Sequence, residues 1–303
     1  MRAQSHPATR VYAYDMLEAE WTDTGLAGLR QKIVRTDRER GLFLGMLAFE
    51  PMTCTGLHQH QATAISYFLD GSLCDYAGFA SAGMAGINLR GATHDAIAYT
   101  RCLLAARLEE PVIYPVESDH ATVHAGSRPA EIVNRAPEVM PDINVPVDAL
   151  PVLATTLAGV TRRMVFDYAG TGTDRRLVQL SLLPGTRLPA HVTSSLVEFF
   201  LLGGDLRVNG VAAIGGSFVV IEPGTEVDIT SAYGARLLAW AEGPPIDTRR
   251  PGRVRRRLWP SGVLNGLLGA DDKGGDLGTC AGFRQEAFGE RRVIRNSDSG
   301  GGC

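Results

Sequence analysis

The sequence predicts an all-β protein built from two copies of one antiparallel unit, and three observations carry that expectation. The apolar runs are of strand length and most stop at Gly, Pro or Asp, the punctuation of antiparallel sheets. Thirty-five glycines in 303 residues supply turns at close intervals. The two halves of the chain also align with each other, so the turn positions recur.

Taken in chain order, the first copy offers the strand candidates "LFLGMLAFEP", "ISYFLDGSL", "AIAYTRCLLAARL" and "PVIYPV". The second offers "RLVQLSLLPG", "VEFFLLGGDL", "SFVVIEPG" and "RLLAWAEG". The alignment starts with "LAGLRQKIV" from Leu26 against "LAGVTRRMV" from Leu157, an offset of 131. A two-residue insertion near "DYAGTGTDRR" raises the offset to 133, where it stays. Pro51 then pairs with Pro184, His58 with His191, Gly71 with Gly204, Gly83 with Gly216 and Gly91 with Gly224. Between the copies, "SRPAEIVNRAPEVMPDINVPVDALP" is Pro-rich and weakly periodic and reads as a connector. The expected layout is residues 1–140 for the first unit and 141–245 for the second. Residues 246–303 hold an Arg-rich segment, with six arginines from Arg249 to Arg257, and a polar Gly-rich tail.

Composition narrows the function classes. A net charge of −3 gives no reason to expect nucleic acid or an anionic membrane as partner, and the arginine run reads as a solvated segment or a subunit contact. No apolar run reaches the roughly 18 residues of a membrane span, and no apolar stretch follows the basic N-terminus as a secretory signal would require. Five cysteines, an odd number without CxxC spacing, argue against a disulfide framework or a cysteine zinc site and fit a reducing cytoplasm. Neither a phosphate-loop GK[ST] ending nor a nucleophile elbow is present.

The chemistry concentrates in "GLHQHQATAISYFLDGS", Gly56 to Ser72. On a strand His58 and His60 point the same way, which makes half of a metal site. His94, in "AGMAGINLRGATHDA", is the candidate third ligand. His120 and His124 are spaced as HxxxH but stand among Asp119, Gly126 and Pro129, so they read as exposed loop histidines.

These residues resemble the cupin superfamily, small antiparallel β-barrels with two motifs. His58, His60 and Gly71 fall on the first motif, with Thr53 in place of its opening glycine. Gly83, Gly91 and His94 fall on the second, with Leu89 in the proline position and Ala98 in the asparagine position. Within the superfamily, Trp21 to Ala98 is most similar to a branch containing the 2,4'-dihydroxyacetophenone and acetylacetone dioxygenases. The same branch includes the cupin domain of zinc-containing anti-sigma factors. The resemblance implies two jelly-roll-like barrels in one chain, the first holding a metal at His58, His60 and His94. Ala64 stands where the usual glutamate ligand would be. In the second copy Thr193, Val197 and Val227 replace a histidine, the glutamate and the last histidine, leaving only His191. One metal site per chain is expected.

Three neutral histidines leave a divalent ion its full charge and favour an anionic bidentate oxygen ligand. The implied function is carbon–carbon cleavage of a small ketone or β-diketone with Fe(II) and dioxygen. If position 64 faces inward, Ser66 and Phe68 line the pocket, while Ile65, Tyr67 and Leu69 face away. The alternative is a zinc-holding sensor or regulatory module like the anti-sigma factor cupin domain, with Zn(II) in the same three histidines. A homodimer is expected by the same resemblance.

Overall fold

The computed structural model describes residues 4–6, 10–37, 39, 41–75, 78–114, 142–167, 176–193 and 195–241. His120, His124, the connector up to residue 141, the arginine run and the tail lie outside the described residues. Within them the protein is all-β, as the turn chemistry requires: antiparallel strands, a short 3-10 turn at Val147–Ala149 and no α-helix. No helix among them is long and apolar enough to cross a membrane.

The repeat is visible strand by strand. Gly78–Ser81, Met84–Asn88 and Cys102–Leu108 recur as Val211–Ile214, Ser217–Ile221 and Ala235–Ala241, each displaced by 133. The turn glycines recur with the same backbone: φ is +70° at Gly71 and +82° at Gly204. A Cβ at Gly71 would stand 1.8 Å from the Arg101 carbonyl oxygen, and one at Gly204 would stand 2.0 Å from that of Gly234, its counterpart. Both positions therefore demand glycine on two counts, conformation and space.

The main wall of the first barrel has seven strands: Asp142–Pro146, Met84–Asn88, Ala64–Asp70, Cys102–Leu108, Leu42–Phe49, Leu29–Asp37 and Thr22–Asp23, in that order. The second barrel repeats it with Val11–Asp15, Ser217–Ile221, Val197–Val208, Ala235–Ala241, Arg176–Leu182, Val160–Asp167 and Leu153–Ala154. The first strand in each wall comes from the other copy. Val11–Asp15 precedes the first barrel yet pairs with Ser217–Ile221, Val11 opposite Ile221. Asp142–Pro146 leads into the second copy yet pairs with Met84–Asn88, Asp142 opposite Asn88. The two lent strands are themselves repeat equivalents, 131 apart. Residues 142–146, part of the stretch read as a connector, are thus a structural strand of the first barrel, and a cut after residue 140 leaves each barrel holding the other's edge.

Strand alternation gives each wall two apolar faces. The inner face of the second barrel is packed with Val178, Leu180, Val197, Phe199, Leu201, Val219, Val227 and their neighbours. The outer faces of both walls meet in one shared layer, where Leu44, Met46, Ile65, Tyr67 and Ile87 of the first barrel join Leu177, Phe200, Phe218, Val220 and Trp240 of the second. Phe200 and Phe218 lie 4.7 Å apart there by ring centroid. Glu198, whose position in the strand turns it away from its own barrel, is buried in this layer. Its carboxylate accepts from Arg107 Nε at 2.6 Å and from Arg35 Nη1 at 2.9 Å.

Candidate metal centre

Three short strands build the site. His58–His60 lies between Thr93–His94 and Val112–Ile113, with His94 directly opposite His58 and Val112 opposite His60. Gly91, at φ +89°, turns the chain so that its amide donates to the His60 carbonyl at 2.8 Å, which sets the register that brings His94 alongside. Alternation sends both first-strand histidines inward, where they are buried, and turns Gln59 outward onto Thr93 Oγ1 at 3.0 Å. Sequence spacing predicted this trio, and the structure brings all three side chains together.

The three histidines are buried, and their ligand atoms lie within 4.8 Å of one another. His94 Nε2 is 3.1 Å from both His58 Nε2 and His60 Nε2. The opposite ring nitrogens of His58 and His94 face other groups. His58 Nδ1–H donates to the Gly56 carbonyl at 2.9 Å, and a carbonyl only accepts, so the lone pair of His58 is on Nε2, facing its neighbours. His94 Nδ1 sits 3.4 Å from the Asp75 carboxylate, which orients the ring the same way. Burial, then the charges of His94 and His58, hold the His60 imidazole well below its ordinary pKa, so it too stays neutral. Lone pairs crowded at this spacing repel unless a cation sits between them. At about 2.1 Å from a divalent ion, nitrogens at right angles stand about 3.0 Å apart. The donor set therefore fits a divalent metal.

Asp75 escaped the sequence reading. The second copy contained a signal: there Asp75 corresponds to Val208 and His94 to Val227, so the ligand and the group that orients it are lost together. His191 keeps its own orienting carbonyl, with Nδ1 donating to Pro189 at 2.8 Å. Its Nε2 is buried with no hydrogen-bond partner among the described residues. Thr193 turns its hydroxyl to the Glu222 carbonyl instead. The frame of the site survives in the second barrel with one of its three histidines.

Ala64 is buried at the inner wall. Phe68, on the same face, packs with Ala98, Cys102 and Leu104 inside the first barrel, while Ile65 and Tyr67 join the layer between barrels. The alternation expected from position 64 thus holds, and Ser66 lies between Ala64 and Phe68 on the inner face. Tyr114 closes one side of the site, its ring centroid 5.9 Å from that of His58. The cysteines near the site are quiet: Cys54 donates to Asp95 Oδ1 at 2.9 Å, and burial first, then that bond, pushes its thiol up to about 11.

Residues 9–110 match the family model of the ChrR cupin-like domain, a span that includes the strand Val11–Asp15 lent to the second barrel. No curated protein matches the sequence. Among solved structures, the chain is similar to a provisionally assigned dioxygenase of Nostoc punctiforme, with a TM-score of 0.62 at 8% identity over 84% of this chain and 90% of that one. A pirin of Escherichia coli in complex with nickel(II) aligns at a TM-score of 0.52 and 16% identity, over 77% of this chain and 99% of that one. Oxalate decarboxylase of Bacillus subtilis aligns at 0.51 and 13%, over 76% and 75%. The fold is therefore that of a tandem cupin, whose first barrel is similar over residues 9–110 to the ChrR cupin-like domain and holds a three-histidine cluster suited to a metal.

Proposed function

We propose that this protein is a mononuclear oxygenase that holds Fe(II) at His58, His60 and His94 and cleaves a carbon–carbon bond of a small ketone or β-diketone. The observation that carries the reading is the all-neutral donor set, with three converging imidazoles and Ala64 in place of a carboxylate. A bound ferrous ion would supply Lewis acidity toward the ketone oxygens and electrons for dioxygen. The chain's own residues do the rest. Gly56 and Asp75 fix the imidazole orientations. With no carboxylate ligand, the positive charge of the site is left for an enolate to neutralise. Ala64, Ser66 and Phe68 form the wall against which the substrate lies, and the barrel keeps bulk water out.

A zinc-holding sensory module is the second reading, and the similarity of residues 9–110 to the ChrR cupin-like domain is what favours it. Metal analysis of anaerobically purified protein, beside His94→Ala, separates the two. About one iron per chain, absent from the variant, together with oxygen uptake on adding acetylacetone, is the expected result. Stoichiometric zinc with no oxygen uptake would transfer the site to the sensory reading. Protein that takes up neither metal would sink both.

A further inference from the structure

Five residues run across the inner wall of the first barrel in one row: Asn144, Gly86, Ser66, Ala106 and Gly45, each opposite the next. The equivalent row of the second barrel is Ala13, Val219, Phe199, Ala239 and Val178. The second row is wholly apolar and packed into the core of its barrel. In the first, a hydroxyl stands where the second barrel has a phenyl ring, and a carboxamide stands where it has a methyl group. Gly86 leaves room for that carboxamide: a Cβ there would lie 3.4 Å from Asn144 Oδ1 and 3.3 Å from the Phe68 ring. Asn144 Nδ2 is buried with no hydrogen-bond partner among the described residues.

Buried amide donors in native proteins are almost always satisfied, and the repeat shows that this position accepts alanine. We infer that Asn144 is a substrate-reading residue of the first barrel's site, supplied by the strand that the second repeat lends. Its amide N–H donates to an uncharged acceptor oxygen that the substrate carries beyond its metal-binding pair. The inference rests on the metal-and-ketone reading above and adds to it the substrate class. Position 66 is two residues along the strand from position 64, a rise of about 7 Å, so the Asn144 row lies one layer from the level at which a fourth ligand would have stood. No cation is present in the row, which fits an ether, ester or carbonyl oxygen better than a second carboxylate.

The test uses the full-length protein loaded anaerobically with Fe(II) and two isosteric probes. One is 1-methoxypentane-2,4-dione, which has an ether oxygen beyond the diketone; the other is heptane-2,4-dione, with a methylene in its place. Affinities are measured for wild type and Asn144→Leu, with metal content and thermal midpoint recorded for both. The variant is expected to keep its metal and its midpoint. The ratio of the two affinities should move by about 5- to 10-fold against the ether, the worth of one hydrogen bond. A general packing defect would weaken both probes alike. Loss of the metal or a fall in midpoint in the variant would make Asn144 structural and overturn the inference. Wild type and variant binding the two probes in the same ratio would also overturn it, leaving the metal-and-ketone reading intact. Iron-loaded wild type that binds neither diketone would overturn that reading, and this inference with it.

Discussion

Replacing Glu198 by alanine should destabilise the whole protein, because its carboxylate neutralises cations in the layer that joins the barrels. Glu198 is 1% exposed and Arg107 3%, and the 2.6 Å contact between them is the shortest in the network. Removing one partner of a buried pair costs about 3–5 kcal/mol, most of it the penalty for the stranded charge. Two features favour the lower end. Arg107 retains Glu109, 3.0 Å from its Nη1. The Arg35 side chain is 38% exposed, so water replaces much of what it loses. The expected cost is therefore about 3 kcal/mol, or a midpoint lowered by about 6–12 °C for a protein of this size. Urea unfolding followed through the fluorescence of Trp240, which packs in the same layer, measures it. Glu198→Gln keeps the acceptor but not the charge and should fall between wild type and alanine. A cost below about 1 kcal/mol for Glu198→Ala, or a glutamine variant as unstable as the alanine, would refute the electrostatic account of this layer.

Three further outcomes follow from the same geometry. Gly71→Ala should cost clearly more than Gly83→Ala: both residues have positive φ, worth about 1–2 kcal/mol to an L side chain, but only Gly71 has a carbonyl oxygen inside van der Waals range. Denaturant midpoints of the two variants make the comparison. His191→Leu should be within about 1 kcal/mol of wild type at pH 7.5, since it removes a buried nitrogen without a partner, which offsets the lost Nδ1 bond to the Pro189 carbonyl. Burial holds the His191 imidazole below its ordinary value, so the unfolded chain takes up the proton first as the pH falls. Stability is then full above the ordinary imidazole value and is lost below it, by at most about 1.4 kcal/mol per pH unit; in the leucine variant that slope should shrink between pH 7 and 5. Finally, Ser66→Phe installs the residue that occupies the same place in the second barrel. It should leave metal content unchanged and weaken acetylacetone binding at least about 10-fold, and an unchanged affinity would remove Ser66 from the pocket wall.

Much of the site was legible in the sequence because its determinants are local. HxH on a strand fixes two inward imidazoles, and a turn glycine three residues before His94 fixes the third, so spacing alone brings them together. The repeat was legible because turn glycines admit few substitutes. What escaped depends on pairing across long separations. Val11–Asp15 alternates apolar and polar side chains whichever sheet it joins, so nothing within it reveals that its partner is Ser217–Ile221. Asp142–Pro146 was hidden by Pro146 and by the Pro141 that precedes it, residues which an edge strand tolerates and a connector favours. Asn144 went unnoticed with it. Strand alternation alone turns Glu198 outward, but outward here means into the layer between barrels.

The reciprocal loan of strands constrains how the chain can be made. On a ribosome the last wall strand that the first barrel provides for itself ends at Leu108, yet its wall stays open until Asp142–Pro146 has emerged. The strand Val11–Asp15 must wait longer still, for Ser217–Ile221. Throughout that interval a nascent histidine trio can form beside an unsealed sheet edge, exposed to chaperones and to stray metal. Separating the halves by proteolysis or by gene fission would reopen both edges at once. The tandem arrangement is in this sense a dimer tied into one polypeptide, and neither repeat can diverge freely, because each forms one side of its sibling.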